Sequence, residues 1–210
     1  MTHAPAVPSR FSRRLLGALL LASAFHVSTL PAQEPAEPPA KEVSEKVSEE
    51  FAKLRPLIEA KNFAEALKLI DNVLSELKTE TYDFVLLAQM KSQILLTTGE
   101  MNKATAPLEE SLTIAQRYNF LPPTAYYEQF YLLSQIYYQQ AAESKNADTQ
   151  KTAFAKSYEY LKKALPLAPK PTVDLQLFAA SLLYNQASLG GAPDPEKFRQ
   201  AITEARKGLY

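Results

Sequence analysis

Between Phe130 and Pro169 the chain carries two residue spacings that helices can use and that only closely packed helices need. Phe130, Leu133, Ser134 and Tyr137 read aromatic-x-x-Leu-small-x-x-Tyr. Phe154, Ser157, Leu161, Ala164 and Pro169 read aromatic-x-x-small-x-x-x-apolar-x-x-Ala-x-x-x-x-Pro. Steps of three and four residues put such side chains on one helix face. A small residue in the middle of that face removes the bulk that would hold a second helix away. The second spacing recurs as Phe63, Ala66, Ile70, Val73 and Leu74, as Met101, Ala104, Leu108, Ser111 and Leu112, and as Phe198, Ala201, Ala205 and Gly208. Its small anchors Ala66, Ala104, Ser157 and Ala201 lie 38, 53 and 44 residues apart. A unit that repeats in this way buries its apolar faces by stacking on its own neighbours.

The first halves of the units are less regular. Val47, Phe51, Leu54 and Ile58 line one helix face in the first. Ser92 and Leu95 fit in the second, where Ala88 and Lys91 stand in place of an aromatic residue and Leu. Leu177, Ala180, Ser181 and Tyr184 fit in the fourth. The whole pattern, over roughly residues 44–210, resembles the tetratricopeptide repeat (TPR), with a period longer than the usual one of about 34 residues. The resemblance implies an all-α fold, a right-handed α-solenoid of about four TPR-like helical hairpins. It also implies a curved surface that binds partners rather than performs chemistry.

Local signals place the helix ends. Pro56 is expected to kink its helix, and Asn62 and Phe63 to turn the chain. Gly99 stands where a left-handed backbone is needed. Pro122-Pro123-Thr124 starts a helix. Glu143 to Ala153 reads as a long connection, with Asp148 or Thr149 as the next cap and both flanking helices longer than standard. Ser188 to Pro193 reads as a loop, and Asp194-Pro195-Glu196 as cap, first-turn proline and first-turn acid. The sequence ends at Tyr210, where a solenoid usually carries a polar capping helix. The last helix is therefore its own lid, or the array continues in a longer chain; apolar surface left bare there favours self-association.

The N-terminal segment reads differently. Arg10, Arg13 and Arg14 precede an apolar run from Leu15 to Phe25, and Leu30-Pro31-Ala32 places a small residue before Gln33. This is the layout of a cleaved secretory signal over residues 1–32. The run is too short for a bilayer span, which takes about 20 apolar residues, so no stable membrane span is expected after cleavage. Arg13-Arg14 partly resembles a twin-arginine signal, but no cofactor motif follows. A bacterial lipoprotein would need a cysteine at the cleavage site. Residues 33–42, with Pro35, Pro38 and Pro39, read as a disordered proline-rich linker. The helical domain is then 43–210, and the expected location is the periplasm or the exterior.

Composition narrows the chemistry. The chain has no Cys and no Trp, and its two histidines, His3 and His26, lie in the expected signal. Thiol nucleophiles, imidazole bases, zinc sites with N or S ligands and disulfides are thereby excluded from the processed chain. Residues 1–32 hold three of the 23 basic residues and none of the 23 acidic ones, which leaves 20 against 23, a net of −3. Nothing in this balance grips phosphates, so nucleic acid is not an expected partner. No cofactor is expected. Ser75-Glu76-Leu77-Lys78 matches Ser-x-x-Lys without its companion motifs. Glu49-Glu50 and Glu109-Glu110 read as solvated faces, and Gly190-Gly191 as a turn. Lys162-Lys163 and Arg206-Lys207 complement helix C-termini.

One stripe stands apart from the repeat positions: Tyr131, Gln135 and Tyr138. The corresponding stripe of the second unit is Gln89, Gln93 and Leu96, and that of the fourth is Phe178, Leu182 and Asn185. By resemblance these faces line the concave groove of a TPR array; the alternative is that they pack against the adjacent hairpin. Amides and tyrosines suit an extended peptide. The Lys and Asn clamp that some TPR proteins close on a terminal carboxylate is missing, since Gln89, Gln93, Tyr131 and Gln135 occupy the matching faces. The expected groove residues are thus Gln89, Gln93, Tyr131, Gln135, Tyr138 and Asn185. The expected role is a non-catalytic scaffold for a protein or peptide partner in the bacterial cell envelope, by resemblance one attached to a TonB-type complex. A small-solute or glycan binder is the alternative. A carboxylate-only enzyme such as a glycosidase is the third class.

Overall fold

The computed structural model describes residues 40–170, 172–189 and 194–207. Among these residues the fold is all-α, with eight helices and no strand: α1 Glu45–Glu59, α2 Phe63–Glu76, α3 Tyr82–Thr97, α4 Met101–Tyr118, α5 Pro123–Glu143, α6 Ala147–Ala164, α7 Val173–Ser188 and α8 Pro195–Lys207. The expected signal, nearly all of the linker and the Gly190-Gly191 turn lie outside the described residues.

Side-chain caps start most of the helices. The hydroxyls of Ser44, Thr81 and Thr172 accept from the third residue on, at Val47, Phe84 and Leu175. Asp194 Oδ1 accepts from the Glu196 and Lys197 amides, as its sequence position predicts. Ser44 also donates its amide hydrogen to Asp83 Oδ1, tying the start of α1 to the first turn of α3. Among the described residues three take a left-handed backbone where the chain reverses: Lys61 (φ 56°), Gly99 (φ 80°) and Asn119 (φ 53°). Gly99 is the expected one; Asn119, at the C-terminus of α4, was not anticipated, although Asn tolerates this region better than most residues.

The third hairpin departs from its expected layout. Residues 147–153 are helical, so only Ser144 to Asn146 connect α5 to α6. The cap is Asn146, whose Oδ1 accepts from the Thr149 amide, and not Asp148 or Thr149. The extra residues lengthen the helices, as expected, to 21 and 18 residues.

Each helix packs on its neighbours in the chain, and all eight belong to one compact unit, residues 38–210. The core is a series of clusters. Val47, Leu54, Ala66, Ile70 and Val73 are buried with Leu87 and Ile94 of α3. Phe84, Ala88, Leu108, Leu112 and Phe120 share the next cluster with Phe130, Leu133 and Tyr137 of α5. Ala141, Phe154 and Leu161 share the last with Leu175, Ala179 and Leu182 of α7. The helices α3, α5 and α7 therefore each join the core of the helix pair before them. Small residues sit at the closest approaches: Ser92 Oγ donates to the Ala104 carbonyl at 2.8 Å, and Ser157 Oγ to the Ser134 carbonyl at 2.7 Å.

In α7 the expected face is the wrong one. Leu177 and Tyr184 are about half exposed, at 49% and 56%, and Ser181 is exposed. Leu175, Ala179, Leu182, Leu183 and Gln186 are buried instead. Relative to α5 the register is shifted by two residues, so that Gln186 and not Tyr184 takes the place of Tyr137. The two share a role. Tyr137 joins Glu109 of the preceding hairpin to Lys156 of its own, and Gln186 joins the Phe154 carbonyl of the preceding hairpin to Lys197 of its own. Since α7 is apolar on more than one side, periodicity alone could not choose between its stripes.

Candidate functional site

Among the described residues, three open clefts lie between the odd-numbered helices. The first, about 480 Å³, is lined by Phe51, Leu54, Arg55, Ile58 and Glu59 of α1 and by Met90 of α3. The second, about 350 Å³, lies between Leu86, Gln89, Met90, Ser92 and Gln93 of α3 and Gln129 and Leu132 of α5. The third, about 540 Å³, lies between Tyr131, Gln135, Tyr138, Gln139 and Ala142 of α5 and Phe178 of α7. Met90 borders the first and second, Leu132 borders the second, and its neighbour Tyr131 borders the third.

The third cleft brings together the α5 stripe. Gln135 is exposed, Tyr138 is 38% exposed and Tyr131 is half-buried. Aromatic contacts hold the rings in place. Tyr131 stacks on Tyr127 with centroids 5.9 Å apart, and meets Phe178 edge-on at 6.4 Å. Tyr138 meets Phe178 at 5.4 Å and Phe154 at 5.8 Å, both edge-on. No charged side chain lines the second or third cleft.

Gln89 and Gln93 meet in the second cleft, facing Gln129. Gln89 Nε2 is closed off from solvent and has no hydrogen-bond partner. A buried donor left in this state costs about 1–3 kcal/mol relative to a paired one. Asn185 lines neither of these clefts, and Leu182, from its stripe, is fully buried in the core. The α7 contribution is Phe178 instead. Gln129, Gln139 and the α1 residues Phe51 and Arg55 were missed by sequence reasoning. Gln139 follows Gln135 by one helical turn and could have been found from that spacing; Gln129 and Met90 carry no such signal.

A second polar cluster joins hairpins two and three. Glu109 is a structural joint and not a solvated face, which corrects the sequence reading. Its Oε1 accepts from Tyr137 Oη at 2.6 Å and from Tyr160 Oη at 2.8 Å, with Lys156 Nζ at 3.6 Å. Burial, reinforced by the Glu109 carboxylate, pushes both phenols above the ordinary tyrosine value. The Tyr137 hydroxyl, which accepts from Lys156 at 3.0 Å, raises the lysine in turn. The four side chains pair with one another and tie α4 to α5 and α6. Glu110 is exposed, as expected.

Among the described residues no set of three or more His, Cys, Asp or Glu side chains could hold a metal ion, and no helix is long and apolar enough to cross a membrane. No family model matches the chain, and no curated protein is similar enough to be matched.

Proposed function

We propose that the chain is a non-catalytic interaction scaffold, a right-handed solenoid of four TPR-like hairpins that holds a peptide or protein partner along its odd-numbered helices. The observation that carries this reading is the succession of three clefts between α1, α3, α5 and α7. A surface divided in this way offers one side-chain pocket after another to an extended chain, and the amides between the pockets match backbone donors and acceptors. The basic n-region and apolar run support export to the bacterial periplasm or beyond.

The neutral, ring-lined third cleft also suits a glycan, so a sugar binder is the second reading. Site-specific photocrosslinking separates the two. A photoreactive side chain at Gln135 should yield a discrete protein adduct in the native envelope, and one at exposed Glu196 should not. Equal labelling from both positions would overturn the groove reading.

A further inference from the structure

The last hairpin leaves an apolar face uncovered. Among the described residues six large apolar side chains stand exposed, and four of them, Val173, Leu177, Tyr184 and Ile202, belong to α7 and α8. Phe198, one turn before Ile202, meets the Tyr184 ring edge-on at 5.4 Å, so the two helices share one patch. A helix that is apolar on both sides belongs between two layers. The helix α3 serves the first and second core clusters, and α5 the second and third, whereas α7 serves the third alone. With Gln186 in the place of Tyr137, Ala180, Tyr184 and Ser188 stand where α5 carries Tyr131, Gln135 and Gln139, which border the cleft toward α7. The uncovered row is thus the one that a following helix would meet.

That row matches itself. From its middle, between Ala180 and Ser181, Leu177 and Tyr184 lie equally far to either side, with Val173 and Ser188 equally far beyond them. Laid antiparallel on a second α7, it brings Leu177 of each copy to Tyr184 of the other. Small residues then stand at the crossing, where the two backbones come closest. Val173, Leu177, Ala180 and Tyr184 follow the steps of four and three of a coiled-coil seam. Asp174 is the one charged residue of α7 and stands outside the row, so no like charges meet across it. A head-to-tail contact has no such match, because the exposed positions of α1 carry Glu45, Lys46, Glu49, Lys53 and Arg55. Those charges would have to be desolvated against apolar side chains.

We propose that α7 pairs with α7 of a second copy of this chain, antiparallel, across a two-fold axis that passes between Ala180 and Ser181. The contact uses the same patch on both copies and therefore closes at a dimer.

Sedimentation equilibrium over a concentration series, up to a few hundred micromolar, tests the pairing. The protein should follow a single monomer–dimer equilibrium. Leu177→Asp sets a carboxylate against Tyr184 of the other copy and should weaken the dimer roughly ten-fold or more. Tyr184→Asp serves if that variant fails to fold, and Val43→Asp, exposed but outside the patch, should leave the dimer unchanged. The chain has no cysteine of its own, so single cysteines report the register. A short thiol-to-thiol cross-linker should join Ser181→Cys to its copy and leave Thr113→Cys, exposed on α4, uncoupled. Mixed Leu177→Cys and Tyr184→Cys chains should couple to each other more than either does to itself. A monomer at every concentration overturns the proposal, and so do oligomers that grow without limit, a dimer indifferent to both aspartates, or a Ser181→Cys chain that does not couple.

Discussion

Ser157 Oγ lies 3.2 Å from Ser134 Oγ while donating to the Ser134 carbonyl at 2.7 Å, and both side chains are fully buried where α5 and α6 meet. Two hydroxyls occupy a place that two isobutyl groups could not. Replacing either serine with Leu should therefore overpack the hairpin by about 1–3 kcal/mol. Ser157→Ala, which removes one hydrogen bond and adds no bulk, should cost about 1 kcal/mol. Urea denaturation of the three variants checks the order.

The tie at Glu109 makes stability depend on pH at the alkaline end. Tyr137 and Tyr160 both have folded-state values above the ordinary one near 10, so the folded chain keeps protons that the unfolded chain releases. A raised value means a contribution that is complete below about pH 10 and lost as pH rises further. Lys156, also raised, acts with the same sign. Tyr160→Phe and Tyr137→Phe should each flatten the fall of stability above about pH 10. If chemical denaturation at several pH values gives slopes equal to wild type, the phenols do not carry the effect.

In the third cleft the two tyrosines should behave differently. Tyr138 is 38% exposed, so Tyr138→Ala should lower stability by about 1 kcal/mol or less. Tyr131 is half-buried between Tyr127 and Phe178, and its removal should cost more. Both should weaken partner binding by about 1 kcal/mol or more. Melting and binding are measured on the same preparations. Loss of the fold in Tyr138→Ala would make that ring core rather than groove.

The register of α7 is open to a simple mutational check. Leu182→Ala should cost about 2–5 kcal/mol, since its side chain is fully buried. Tyr184→Ala, which gives up mainly an edge contact with Phe198 at 5.4 Å, should cost about 1 kcal/mol or less. The reverse order would restore the register read from the repeat.

Export predicts a processed N-terminus near Gln33 in the native host. Intact-mass analysis finding the chain unprocessed and in the cytoplasm would remove the periplasmic assignment.

Much of the fold was legible in the sequence because its signals are local. Helical periodicity, Asp194 as a cap and Gly99 at a reversal each act within a few residues of themselves. The stripe Tyr131, Gln135 and Tyr138 could be read for the same reason, since one helix face carries it. Gln89 and Gln93 could be named but not joined to Gln129, which stands on another helix.

By itself, then, the sequence determined that the domain is helical, where most of its helices begin and end, and which small residues sit at the closest approaches. Tertiary structure alone decided which side of α7 is buried, that Glu109 is a joint, and that residues from four odd-numbered helices form a row of clefts. The physical reason is that burial belongs to pairs of surfaces. An apolar stripe is core only if another element covers it, and α7 carries two stripes of which α6 and α8 cover one. A carboxylate on a helix face is solvated until two phenols from other helices reach it, and only the packed chain brings them there.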